Sequence, residues 1–212
     1  MRRSILTYLF FLISLYSYAT NYYVNDGTTG EGSAICSAIG NDANDGTSTS
    51  TPKATLQDVI NDYDLSTGDV IYVDVVTYNE SSIELETDDE GFTIQGVSEA
   101  LTVFDGNNHL GYWLAIEYEE NDDITITQLT VMDYGTTATN ASGNGIRVGG
   151  GTSDKAITGL TISNVTFDDI DCNDSGSSYG GAICYTNYAG GGSDMTISNC
   201  NFTNCNAGSG AC

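Results

Sequence analysis

The chain has 212 residues and a formal net charge of −24 at pH 7, with 29 acidic side chains against 5 Lys and Arg. This balance makes nucleic acid and anionic membranes poor partners, because phosphate groups are bound by clustered Lys and Arg; no nucleic-acid partner is predicted. With 25 Gly and 14 Tyr but 1 Pro, the composition is typical of many short strands joined by turns.

Residues 1–19 have the features of an export signal. Arg2 and Arg3 precede an almost unbroken apolar run from Ile5 to Tyr16, and Ser17-Tyr18-Ala19 offers small residues at the two specificity positions of a cleavage site. The run is shorter than the roughly 20 apolar residues of a membrane-spanning helix. We therefore expect a secreted or cell-surface protein, associated with an outer membrane, with no transmembrane span in the mature chain.

Residues 20–65 are predicted to form an N-terminal cap region. A strand is expected at Tyr22–Val24, and Pro52 suits the start of a short amphipathic helix. Its apolar side is formed by Leu56, Val59 and Ile60. A cap is expected because an open stack of coils exposes apolar side chains and unpaired strand edges.

A polar loop within the cap suggests a cation site. Asp42, Asn44 and Asp45 place oxygen atoms on a tight loop that Gly46 closes, and such ligands suit calcium. The pattern lacks the distal Glu of a full calcium loop, and an Asx-rich turn explains the same residues. Both interpretations stay open, and calcium is the one cofactor that the sequence suggests.

Residues 66–212 contain a repeat. Three octapeptides align column by column: ITITQLTV (Ile124–Val131), LTISNVTF (Leu160–Phe167) and MTISNCNF (Met195–Phe202). A fainter copy, FTIQGV, begins at Phe92. Self-similarity at a period of 20–50 residues indicates stacked structural units. The equivalent isoleucines, predicted to form a core ladder, are Ile94, Ile126, Ile162 and Ile197.

Each repeat is predicted to supply three short strands. The octapeptide contains two, and a glycine-led segment, GNGIRV or GGAICY, provides the third. A β-sandwich would instead show hairpin turns of about two to five residues between its strands. The predicted fold is an all-β, right-handed parallel β-helix. Because Cys212 falls in mid-coil, we expect further coils in a longer protein.

Two segments resemble known β-helix proteins. GNDANDGTSTSTPKATLQDVI (Gly40–Ile60) followed by GDVIYVDVVTY (Gly68–Tyr78) resembles the opening of right-handed parallel β-helix proteins of the pectate-lyase-like superfamily. GGAI (Gly180–Ile183) and NFTN (Asn201–Asn204) are similar to the repeats of polymorphic outer-membrane proteins, although Cys205 stands where those repeats have Asn. The resemblance implies a bacterial-type surface β-helix.

Catalytic chemistry has little support in the sequence. Polysaccharide lyases of this fold use Lys or Arg as the base, and the coils contain only Arg147 and Lys155. Glycoside hydrolases need two carboxyl groups about 5–9.5 Å apart, and none of the acidic turns, such as Asp168-Asp169, presents a distinct pair. No catalytic residue is therefore predicted.

The leading hypothesis is a non-enzymatic binding or adhesion module for a carbohydrate or a host or other cell-surface ligand. The alternative is a carbohydrate-active enzyme, a lyase or a hydrolase, whose catalytic coils lie beyond residue 212.

Two polar columns flank the isoleucine ladder. Side-chain alternation in a strand directs the hydroxyls of the repeats outward. This hydroxyl ladder comprises Thr125, Thr127, Thr161, Ser163, Thr196 and Ser198. It reflects either strand propensity and solubility or a flat face for carbohydrate. The next column, Gln128, Asn164 and Asn199, is interpreted as a structural turn ladder.

Six cysteines follow the export signal, and five are candidates for disulfides in an oxidising compartment. These are Cys172, Cys184, Cys200, Cys205 and Cys212. Several share columns with core residues, so buried thiols fit equally well. Zinc is excluded because the chain has no C-x-x-C motif and a single histidine, His109.

Overall fold

The computed structural model of the chain describes residues 18–27, 32–118, 121–135, 144–149, 157–172, 180–185 and 194–207. Most of the predicted export signal, Lys155 and Cys212 lie outside these ranges. In chain order the elements are β1 (Asn21–Val24), α1 (Leu56–Asp62), β2 (Val70–Val73), β3 (Val76–Tyr78), β4 (Ile83–Glu84), β5 (Thr93–Gln95), β6 (Thr102–Leu110), β7 (Leu114–Ile116), β8 (Thr125–Gly135), β9 (Ile146–Val148), β10 (Thr161–Asp168), β11 (Asp171–Cys172), β12 (Ile183–Tyr185), β13 (Thr196–Ser198), β14 (Asn201–Thr203) and β15 (Asn206–Ala207).

The strands stack in parallel into three faces, which confirms the predicted all-β parallel β-helix. The first face contains β1, β2, β5, β8, β10 and β13, each paired in parallel with the next. The second face contains β3, β6, the later halves of β8 and β10, and β14. The third face is the sheet β4-β7-β9-β12. One coil therefore contributes one short strand to each face.

Isoleucines on the first face fill the interior. Ile71, Ile94, Ile126 and Ile162 occupy one register column, and each is fully buried. Burial of such side chains drives the stacking, at about 1.5–3 kcal/mol for each. Ile197 continues the column, but it is 42% exposed among the described residues.

The corner between the first two faces is made by a left-handed residue. Gln128, Asn164 and Asn199 have φ values of 61°, 53° and 53°, a conformation that Asn tolerates better than most residues. The chain bends there while each octapeptide keeps its two strands, as the sequence predicts. A second such corner, not foreseen, is formed by Asp133, Asp169 and Asn204.

The cap helix and the cap strand lie where the sequence predicts them. Leu56, Val59 and Ile60 on α1 are buried and join the core cluster that contains Tyr22 and Val24 of β1. Thr55 caps the helix by accepting a hydrogen bond from the Asp58 amide through its side chain. The apolar first layer of the β-helix is thereby covered.

The described coils contain strands that the sequence did not indicate. The coil that begins with β2 is complete, with β3 on the second face and β4 on the third. Two further two-residue strands, β11 and β15, pair with each other after the second corner. Within the described ranges, no helix is long and apolar enough to cross a membrane.

Candidate functional site

A groove lies on the outer surface of the first face, next to the cap. Its volume is about 430 Å³, within the range of small-ligand sites. The described residues that line it are Asn21, Tyr23, Ala34, Ile35, Thr49, Tyr72, Gln95, Gly96, Val97 and Gln128. They come from the cap, from three successive strands and from the corner that follows them.

Two tyrosines form the floor of the groove. Tyr23 of β1 and Tyr72 of β2 are register partners, and their ring centroids are 5.7 Å apart with an interplanar angle of 21°. Both are half-buried, because the alternate positions Tyr22 and Ile71 point into the core. Gln95 is the next residue in the column. The floor is therefore a pair of rings followed by an amide.

One wall is the cap segment Ser33–Cys36, which is fixed by a single buried carboxylate. Asp74 is fully buried, and its Oδ1 accepts hydrogen bonds from the amides of Ala34 and Ile35 at 2.8 and 3.1 Å. Its Oδ2 accepts from the Ser33 hydroxyl at 2.6 Å and from the Cys36 amide at 2.7 Å. Burial raises the pKa of Asp74, but these hydrogen bonds outweigh it and hold the pKa below the usual value.

The corner that follows the first face contributes Gly96, Val97 and Gln128 to the lining. A Cβ atom at Gly96 would lie 2.2 Å from the Gln128 carbonyl oxygen and 2.9 Å from Thr102 Cβ, so only glycine allows this close approach. The Val97 amide donates to the Thr102 hydroxyl at 2.9 Å. The loop that follows is tied down by Glu99, whose Oε2 accepts from the Thr166 hydroxyl at 2.6 Å.

The groove is uncharged on a strongly acidic chain. None of the described residues that line it is Asp, Glu, Lys, Arg or His, whereas the whole chain carries a net charge of −24. Aromatic rings with amide and hydroxyl groups bind ligands that combine apolar surface with hydrogen-bonding groups. The chemistry of the lining therefore suits a neutral polyol rather than an ion.

The predicted hydroxyl ladder continues from the groove. Thr127 and Ser163 occupy the same outward column as Tyr72 and Gln95, and the Ser163 and Thr127 hydroxyl oxygens are 3.1 Å apart. Ser198 extends the column and is exposed. The hydroxyls thus form a polar face that leads away from the groove along successive coils.

The suggested calcium residues form a hydrogen-bonded turn. Asp42 Oδ1 accepts from the amides of Ala54 and Thr55 at 2.9 and 3.0 Å, and Lys53 Nζ donates to the Asp42 carbonyl oxygen at 2.8 Å. The other two residues are occupied similarly, because Asn44 donates to the Pro52 carbonyl and Asp45 accepts from Thr47 and Thr51.

Protein donors, including the Lys53 ammonium, thus engage Asp42 Oδ1, the Asp42 carbonyl oxygen and Asp45 Oδ1. No group of three or more His, Cys, Asp or Glu positioned to hold a metal occurs in the described part of the chain. Calcium binding by Asp42, Asn44 and Asp45 stays a prediction.

A second cavity of about 510 Å³ lies between α1 and the third face. Its lining includes Glu84, Glu86 and the exposed Tyr118. Arg147, close to it in the sheet, packs over the Tyr112 ring at 4.0 Å and pairs with Glu117 at 2.5 Å. The guanidinium is therefore engaged by its neighbours on the third face.

The cysteines lie mainly in the interior, as their columns suggest. Cys172 and Cys184 are buried, and Cys200 and Cys205 are half-buried. The Cys200 and Cys205 thiols donate to the carbonyl oxygens of Ile162 and Phe167, both at 3.6 Å. Burial and the nearby Asp74 raise the pKa of Cys36 to about 12. The proposed disulfides stay a prediction.

Sequence reasoning overlooked the tyrosine pair and Asp74. The pair becomes visible once NYYV (Asn21–Val24) and VIYV (Val70–Val73) are aligned with the T-I-S strands, because Tyr then takes the Thr or Ser position. Asp74 carries no comparable signal, since the amides that bind it lie about 40 residues upstream.

The chain matches no described protein family, no curated protein and no solved structure.

Proposed function

We propose that the chain is an exported, cell-surface β-helix module that binds a neutral carbohydrate without transforming it. The observation that carries the proposal is the stacked pair Tyr23–Tyr72 in an uncharged groove on a chain of net charge −24. Sugar rings have apolar C–H faces that pack on aromatic rings, and their hydroxyls pair with amides such as Gln95 and Gln128.

The charge distribution favours neutral over anionic carbohydrates as ligands. A polyuronate carries a carboxylate on every unit, and it is repelled by a strongly acidic chain whose described groove residues include no cation. Neutral glycans escape this repulsion. The signal-like segment at residues 1–19 and the resemblance to pectate-lyase-like β-helices support a secreted or outer-membrane-associated location.

Binding by the groove is tested with a panel of soluble glycans and two matched tyrosine variants. Calorimetry or glycan arrays should show binding to at least one of galactomannan, xylan and β-glucan, and none to polygalacturonate. Tyr72→Ala should weaken that binding at least tenfold, a loss of about 1.4 kcal/mol. Tyr118→Ala, which removes an exposed ring beside the other cavity, should leave it unchanged. Equal effects of the two variants, or preference for polygalacturonate, would contradict the proposal.

The alternative is a carbohydrate-active enzyme, and the second cavity contains one feature in its favour. Glu84 and Glu86 flank the buried Leu85 and line the same cavity, and residues two apart in an extended segment are about 7 Å apart. Paired carboxyl groups at such separations act in glycoside hydrolysis. A reducing-end assay on the same neutral glycans separates the two functions. The binding module releases no new ends, whereas turnover that Glu84→Gln abolishes would establish the enzyme.

A further inference from the structure

We propose that Asp74 is the positioning residue of the groove, because its buried carboxylate fixes the wall segment Ser33–Cys36, whose Ala34 and Ile35 line the groove. This inference rests on the proposed carbohydrate-binding function. It adds a residue that lines no part of the groove and that nothing in its own strand pattern marks as functional.

The carboxylate receives hydrogen bonds from almost every donor of the wall segment. The amides of Ala34, Ile35 and Cys36 and the Ser33 hydroxyl all donate to Asp74 at 2.6–3.2 Å. Successive amides that converge on one anion form a nest. Among the described residues these three amides have no other acceptor, so the side chain of Asp74 alone satisfies them.

The position of the carboxylate is set by the β-helix. Asp74 directly follows β2 at the corner that leads to β3, and its Oδ1 also accepts from the Val75 amide at 2.7 Å. Its carbonyl oxygen accepts from the buried Tyr78 and Thr102 hydroxyls at 3.2 Å. The anchor is therefore bonded to the β-helix on several sides, whereas the segment that it holds has no regular secondary structure.

The residues that Asp74 holds are connected to the groove in two ways. Ala34 and Ile35 line it directly, and the Ser37 amide and hydroxyl donate to the carbonyl of Thr49, which is also a lining residue. A wall held in place before binding reduces the ordering that the ligand must impose. Loss of the anchor should thus reduce affinity without touching the tyrosine floor.

Asp74→Asn tests this role, with Asp89→Asn as the matched control. Asn presents an N–H₂ group to the amides and loses the charge, so the nest is no longer satisfied. Asp89 is equally buried and accepts from the amides of Leu65 and Glu86 at 3.0 and 2.8 Å, but it contacts no groove residue. Both variants are expected to lose stability, and only Asp74→Asn is expected to lose affinity.

Two measurements on the folded variants decide the outcome. Dissociation constants are determined for the tightest binder among galactomannan, xylan and β-glucan, and amide hydrogen exchange is followed at residues 34–36. We expect at least tenfold weaker binding and fast exchange at these amides for Asp74→Asn, and neither change for Asp89→Asn. If Asp74→Asn does not fold, Ser33→Ala removes a single donor and should weaken binding several-fold.

The outcomes separate the two proposals. Wild-type binding with unchanged affinity in Asp74→Asn, or persistent protection of amides 34–36 in that variant, overturns the role of Asp74 alone. Absence of wild-type binding to every neutral glycan overturns the proposed function and, with it, the role of Asp74 in binding.

Discussion

Lys53 shows how a single residue holds the cap together. Its side chain is 1% exposed, and its ammonium lies 2.9 Å from Asp58 Oδ2 and 2.6 Å from Asp62 Oδ2. It also donates to the Asp42 carbonyl at 2.8 Å. Burial lowers the pKa of Lys53, but hydrogen bonds to Asp62 and Asp58 outweigh it and raise the pKa above the usual value. The buried ammonium of Lys53 therefore links the 42–46 turn to α1 within the cap.

Lys53→Met is expected to destabilise the protein by about 3 kcal/mol, because it leaves Asp58, Asp62 and the Asp42 carbonyl without the buried ammonium that they share. Urea unfolding measures the change. Asp62→Asn is the control, since Asp62 is 54% exposed and an exposed ion pair contributes less than about 1 kcal/mol. A Lys53→Met variant as stable as the wild type would show that apolar packing replaces the ion pairs.

Among the elements, α1 depends on a carboxylate from a neighbouring coil. Glu80 accepts hydrogen bonds from the Leu56 amide at 3.0 Å and from the Gln57 amide at 3.2 Å, at the start of the helix. Burial raises the pKa of Glu80 to about 7, against the opposing effect of these hydrogen bonds. The helix is therefore joined to the β-helix by a group that titrates near neutrality.

This coupling predicts a pH dependence of stability. Between the unperturbed pKa of 4.5 and the folded value of about 7, the unfolded chain loses a proton that the folded chain keeps. Stability therefore falls as pH rises through this window and levels off above it. The shift corresponds to at most roughly 3 kcal/mol. Asp89, whose pKa burial raises to about 6, acts in the same direction at lower pH.

The comparison of wild type with Glu80→Gln isolates this contribution. The variant keeps an acceptor for the helix amides and has no proton to lose. Thermal unfolding from pH 4 to pH 8 should show a steeper decline for the wild type, so that Glu80→Gln gains relative stability as pH rises. Parallel profiles for the two proteins would mean that Glu80 titrates as it does in the unfolded chain.

Element types were predictable where the sequence repeats. The octapeptides predicted β8, β10, β13 and β14, and the spacing of Leu56, Val59 and Ile60 predicted α1, because burial of one side imposes a period on the residues. The two-residue strands β4, β11 and β15 are too short to show any period. The groove was not predictable either, because the cap segment that lines it is held by contacts between residues far apart in sequence, such as that of Asp74 with Ala34.

At the scale of the whole molecule, each coil is stabilised by the coils that cover it. Stability in such a stack is a sum of coil and neighbour contributions. The β10 and β13 coils show this directly, because Phe167 and Phe202 are register partners with ring centroids 5.2 Å apart and an interplanar angle of 8°. Phe167 is fully buried, whereas Phe202 is 46% exposed. The two phenylalanines occupy equivalent positions in successive coils and differ in how much of the ring is packed against other residues.

Truncation of the two rings should therefore have unequal effects. Phe167→Ala removes a ring covered on both sides and is expected to cost about 4 kcal/mol. Phe202→Ala removes a ring covered on one side and should cost roughly half as much or less. Urea unfolding of both variants at several protein concentrations measures the difference. Equal losses would show that Phe202 is covered in solution, and a dependence on concentration would identify that cover as a second copy of the chain.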